Sequence, residues 1–136
     1  MLFKLDERIE ATSDLIYELP LCQVRLSIDS RYFWLILVPK LDGETEVHEL
    51  SEADQVRLIK ESSKVATALN TVVNPEKINV ANLGNVVSQL HWHVVARFIN
   101  DEAWPGPIWG VGNAKEWDTK KRAEFIDSFL NELTKL

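Results

Sequence analysis

At 136 residues, with 46% hydrophobic and 26% charged side chains, the chain has the size and balance of one folded domain (1–136) and lacks the low-apolar, high-charge signature of disorder. A net charge of -6 disfavours nucleic acid as a general partner, because backbone binding draws on clustered Lys and Arg. The single Cys22 excludes an internal disulfide, and the longest apolar run, Phe33 to Pro39, is far short of the ~20 residues that cross a bilayer. No basic, apolar and small-residue leader pattern opens the chain, so a cytoplasmic protein without a membrane partner is expected.

Cys22 to Ile28 and Phe33 to Val38 are rich in β-branched and aromatic residues and flank the polar turn Asp29-Ser30-Arg31. They predict a strand pair, ended by Pro39. Ser51 with Asp54 resembles a capping box, and Val56, Ile59, Ser63, Ala66, Leu69 and Val73 recur at helical spacing. A helix over about 52–72 follows, stopped by Asn74-Pro75. Lys77 to Asn82 reads as a short strand leading to a turn at Leu83-Gly84-Asn85, and a further strand spans about 89–98. Residues 101–112 hold Pro and Gly breaks that no regular element can fill. Asn113 with Glu116 is a second capping signal, for a helix over about 114–135 whose apolar face is Phe125, Ile126, Phe129, Leu130 and Leu133.

The chemistry lies in QLHWHVVARF. Strict alternation puts Leu90, Trp92, Val94, Ala96 and Phe98 on one face and Gln89, His91, His93, Val95 and Arg97 on the other, with the imidazoles rooted about 6.6 Å apart, a span that suits one phosphate. Histidine titrates near neutrality, so one ring can attack while its neighbour donates a proton. A nucleophilic His91 splits a displacement at phosphorus into two easier steps, with His93 and Gln89 supplying hydrogen bonds. Backbone amides of the Gly84-to-Ser88 turn, Val86 among them, offer further donors to an anion. Two rival readings remain open: a strand face that merely holds two histidines, and a metal site built on His91 and His93 with a carboxylate as third ligand. Arg97 either grips phosphate or pairs with an acidic residue, and Trp104 and Trp109 either anchor their loop or stack on a base.

QLHWHVV resembles the histidine triad (HIT) signature of alternating histidines and apolar residues, with Gln89 in the first histidine's place. Gly84 matches the glycine of the phosphate loop that precedes the signature, and Ile36-Leu37-Val38-Pro39-Lys40 is similar to the family's apolar strand ending in proline. The flavour is that of bacterial HIT-like proteins related to diadenosine tetraphosphate hydrolases. The resemblance implies an α+β fold: an antiparallel sheet of about five strands, a long middle helix and a C-terminal helix.

It further implies a homodimer and a nucleotide substrate cleaved at its α-phosphate, as a dinucleoside polyphosphate or a nucleoside phosphoramidate is. His91 takes the nucleophile's position, His93 the third position, and Asp29 the ribose site. Asn79, Asn85, Val86 and Ser88 fall to the substrate, with apolar side chains near Leu26, Ile28 and Leu37 around the base. No cofactor or metal is implied. Gln89 cannot act as an acid or base, and Trp34 stands where many members have an additional histidine. The alternative is therefore a noncatalytic nucleotide-binding module.

Overall fold

The computed structural model describes residues 2–136. Three helices, α1 (Glu7–Thr12), α2 (Glu52–Val73) and α3 (Thr119–Leu133), accompany five strands: β1 (Ser13–Glu18), β2 (Cys22–Ser27), β3 (Phe33–Pro39), β4 (Lys77–Ala81) and β5 (Trp92–Arg97). The strands form one sheet in the order β1-β2-β3-β5-β4, every neighbouring pair antiparallel. This is the α+β arrangement expected, with two elements the sequence reading did not assign, α1 and β1. The signature strand is shorter than expected, since His91 stands just ahead of the ladder.

The pleat sorts side chains onto two faces, and both are covered. Cys22, Val24 and Leu26 of β2, Leu35 and Leu37 of β3, and Val94 and Ala96 of β5 pack beneath α2 and α3 against Leu58, Val65, Leu69, Phe125 and Phe129. Each of the buried Val, Leu and Phe side chains among them contributes about 1.5–3 kcal/mol. On the opposite face Ile36 and Val38 meet Ile9 of α1, while Val95 meets Tyr32 and Ile108. β3 is thus enclosed on both sides, which explains why Phe33 to Pro39 reads as an unbroken apolar run rather than an alternating one.

Two helix expectations are corrected. Ser51 caps α2 as anticipated, accepting from the Asp54 amide at 3.1 Å, and Asn74 ends it in the left-handed conformation at φ 48°. The buried face, however, runs through Leu58, Glu61, Ser62, Val65, Ala68 and Leu69, while Val56 and Ile59 are 48% and 51% exposed. Two polar residues disguise that face. The Glu61 carboxylate accepts from the backbone amides of Leu21 and Cys22 at 2.9 and 2.8 Å, and the Ser62 hydroxyl accepts from Trp92 Nε1 at 2.9 Å. α3 starts at Thr119, capped by Asp118, which accepts from the Lys121 amide at 3.1 Å. Residues 113–118 instead continue the irregular segment, in which the Lys115 amide bonds to Asp29.

Candidate active site

The turn before β5 aims the histidines. A Cβ at Gly84 would stand 2.8 Å from the Val87 carbonyl oxygen, so only glycine lets the chain close this tightly. Beyond the turn, His91 Nδ1 lies 2.7 Å from the Gln89 carbonyl oxygen. A carbonyl only accepts, so Nδ1 carries the proton and the neutral ring keeps its lone pair on Nε2. The side chain is only 7% exposed and borders a cavity of about 340 Å³.

His93, 5% exposed, borders the same cavity with its ring 4.9 Å from that of His91 and nearly perpendicular to it. Register pairs it with Ile36 of β3 and Ala81 of β4, so its backbone is held from both sides. Trp34 Nε1 donates to His93 Nδ1 at 3.0 Å. No group meets His93 Nε2 at hydrogen-bonding distance and angle, although the Leu83 carbonyl lies close enough to the ring to act on its charge. Burial, and then the neighbouring His91, bring the His93 pKa down to about 4, against a weaker opposing pull from the Leu83 carbonyl. The ring is therefore neutral at neutral pH.

Beside the histidines, Trp34 and Ile36 of β3 and Val87 of the turn, the cavity is walled by Arg8, Ile9 and Thr12 of α1, by Ile28, Asp29 and Arg31 after β2, and by Ile108 to Gly112 with Ala114. Trp109 sits 5.0 Å from the His93 ring and 6.4 Å from that of Trp34, edge-on to the latter at 90°. Of the two loop tryptophans it alone faces the cavity. The Trp104 ring lies 5.8 Å from the Arg97 guanidinium. Arg31 ties the segment down, donating to Glu102, to the Val111 carbonyl and to Asp29.

Asp29 reaches the cavity wall, but its carboxylate already accepts from the Arg31 side chain, the Arg31 amide and the Lys115 amide. Burial alone would raise its pKa; the Arg31 guanidinium and the Arg31 and Lys115 amides together outweigh this and hold it below the usual carboxylate range. Gln89 turns its amide away from the histidines. Oε1 accepts from the Asp6 amide and Nε2 donates to the Lys4 carbonyl, both at 2.7 Å, so only its backbone carbonyl serves the site. Asn79 is likewise elsewhere, its Oδ1 accepting from Arg97 Nη1 at 2.7 Å. Arg97 pairs with Asp101 at 2.8 Å and is fully enclosed.

Asn85 and Ser88 border a separate, smaller depression with Thr45, Glu46 and Asn82. Val86 is an exposed residue whose carbonyl accepts from Arg8 Nη1 at 3.0 Å; Val87 is the turn residue that lines the cavity. Leu26 and Leu37 point into the helix-covered core, leaving Ile28 alone of the apolar trio beside the cavity. Among the described residues no group of three or more His, Cys, Asp or Glu is placed to hold a metal ion. For the site, the sequence does not single out Arg8, and of the 108–114 segment it singles out Trp109 alone. The signal available was the pair of tryptophans in a stretch too broken to form an element.

An Nε2 lone pair just ahead of a strand and beside a second histidine, over a cavity with two arginines on its walls, is an arrangement able to serve attack on an anionic substrate. The HIT domain family model matches residues 8–100, and the chain belongs to the HIT family, which embraces nucleotide-binding hydrolases and transferases and some noncatalytic members. It is similar to the solved histidine triad protein of Bradyrhizobium japonicum, with 36% identity, 98% of this chain and 99% of that one covered, and a TM-score of 0.96. The HIT protein of Sinorhizobium meliloti 1021 is 45% identical over 96% of each chain with a TM-score of 0.93. That of Marinobacter aquaeolei VT8 is 37% identical over 100% of this chain and 99% of that one, with a TM-score of 0.95. Among curated proteins none matches. Among the described residues no helix is long and apolar enough to cross a membrane.

Proposed function

We propose that this protein is a cytoplasmic nucleotide hydrolase or nucleotidyl transferase that cleaves a nucleoside phosphate conjugate at its α-phosphate through a nucleotidyl-His91 intermediate. The observation that carries the reading is the 2.7 Å contact between His91 Nδ1 and the Gln89 carbonyl. It leaves Nε2 as the basic atom on the cavity wall and stabilises the positive charge the ring acquires as it attacks. His91 Nε2 bonds to phosphorus, the bond from phosphorus to the leaving oxygen or nitrogen breaks, and the departing group takes a proton. Water then attacks the adduct, releasing the nucleoside monophosphate and restoring His91.

His93 donates to a nonbridging oxygen, and Arg8 and Arg31 set a positive field on the cavity wall that favours the anion. Asp29 Oδ2 accepts a ribose hydroxyl while remaining paired to Arg31, and the base lies against Ile28, Ile108 and Trp109. Dinucleoside polyphosphates and nucleoside phosphoramidates are the substrate classes that present such a bond. A homodimer fits the open edges of β1 and β4. The test is hydrolysis of adenosine phosphoramidate and of diadenosine tetraphosphate by the wild type and His91→Ala, with chelator present and products separated by chromatography. Turnover that His91→Ala abolishes is expected. Binding of AMP without turnover of either compound would replace the enzyme with a noncatalytic nucleotide-binding module.

A further inference from the structure

We infer that Trp34 is a positioning residue that fixes His93 as the neutral tautomer with its proton on Nε2, so that His93 works as a fixed hydrogen-bond donor rather than as a proton-transfer acid. An indole N–H can only donate. Its contact of 3.0 Å with His93 Nδ1 therefore requires a lone pair there, and a neutral imidazole with a bare Nδ1 carries its hydrogen on Nε2. A second proton on the ring would set Nδ1–H against Nε1–H. A histidine in Trp34's place could donate, accept or change charge; tryptophan does one thing at every pH.

Trp34 is held in place for this. On β3 it pairs with Val95, two residue pairs along from Ile36 and His93 and so on the same face of the sheet, and Trp109 closes on it edge-on at 6.4 Å. The atom this arrangement presents, His93 Nε2, is buried without a hydrogen-bond partner in a ring that lines the cavity. Unpaired buried polar atoms are rare in folded proteins, and each asks for an explanation. A nonbridging phosphoryl oxygen would satisfy this one.

The charged and titratable groups around the cavity agree with a neutral ring. His91 lies beside it on the signature segment, Arg8 comes from α1, and Arg31 comes from the turn after β2. Asp29, the carboxylate on that wall, is committed to Arg31, and residues 108–112 and 114 bring no ionisable side chain. Burial and His91 act in the same direction on the pKa of His93. The identity of the acceptor rests on the nucleotidyl-transfer reading; the tautomer does not.

The test is a long-range proton–nitrogen NMR spectrum of the 15N-labelled full chain, wild type and Trp34→Phe, recorded from about pH 5 to pH 8, the range where free histidine titrates. The wild type is expected to show His93 protonated on Nε2 and bare on Nδ1 throughout. In Trp34→Phe the proton should distribute over both nitrogens while the ring stays neutral, because burial and His91 still hold its pKa down. Turnover should fall about 10- to 100-fold, as when other partners that orient a functional histidine are removed, with the loss in kcat rather than KM. A wild-type His93 protonated on Nδ1 overturns the inference whether or not the variant folds, and so does an unchanged tautomer in Trp34→Phe. The expected spectra in a protein that turns over no nucleotide would support the role of Trp34 and sink the catalytic reading instead.

Discussion

Because the His93 ring is buried neutral, it ties the stability of the fold to pH. The unfolded chain takes up a proton at this residue near 6.5, whereas the folded ring waits until about 4. Between those values the unfolded state holds more protons, so stability rises with pH across the window and is lost as pH falls through it. Working the linkage for a pKa moved from 6.5 to about 4 gives a loss of ~2 kcal/mol on going from pH 7 to 5 and ~3 kcal/mol by pH 4. The comparison is urea unfolding of the wild type and His93→Gln at each pH. Contributions from the other histidines are common to both proteins and cancel in the difference. Asp29 and Asp101, whose carboxyls are held below their ordinary 3.8 chiefly by Arg31 and Arg97 against burial, withdraw their stabilisation only at lower pH. The variant should lack the decline between pH 7 and 4 that the wild type shows. Parallel curves would refute the argument, since they would mean that His93 binds its proton equally well in both states.

The Gln89 amide, which joins the Lys4 carbonyl to the Asp6 amide, gives a local expectation: Gln89→Ala should cost ~1–3 kcal/mol for two lost bonds and speed amide exchange at residues 5–8. Unchanged exchange there would show the segment to be held by other contacts. Arg97→Leu strands the Asp101 carboxylate, enclosed with five donors around it, and should cost ~3–5 kcal/mol by denaturant unfolding. A loss under ~1 kcal/mol would mean that backbone amides alone suffice for that charge.

The signature strand was legible because alternation at period two is a local property: reading every second residue from Leu90 separated the core face from the histidine face before any partner strand was known. Less legible was α2, where Glu61 and Ser62 sit inside because backbone amides and an indole meet them there, partners distant in sequence. β1 escaped because its register slips between Leu15 and Tyr17, placing Leu15, Ile16 and Tyr17 in an apolar run with no alternation. α1, at six residues, is too short to show a helical period. At the site, sequence located both histidines and Asp29. It could not show that the Gln89 side chain turns to the N-terminal segment, that Asn79 serves Arg97, or that Arg8 reaches the cavity. Each depends on which chain segment crosses which, and that is settled by tertiary packing.

The two sides of the cavity are made by different means. Its floor is β-ladder, where His93 is pinned by backbone pairing to both neighbours; its roof over 101–114 is irregular chain fastened by side chains, through Arg31 to Glu102 and Val111 and through Arg97 to Gly106. A substitution at Val111 reshapes the space offered to a substrate without disturbing a rung of the sheet or the contacts that join Trp109, Trp34 and His93. Reactivity and selectivity can therefore change independently in this architecture, with one chemical centre retained while its clientele diverges.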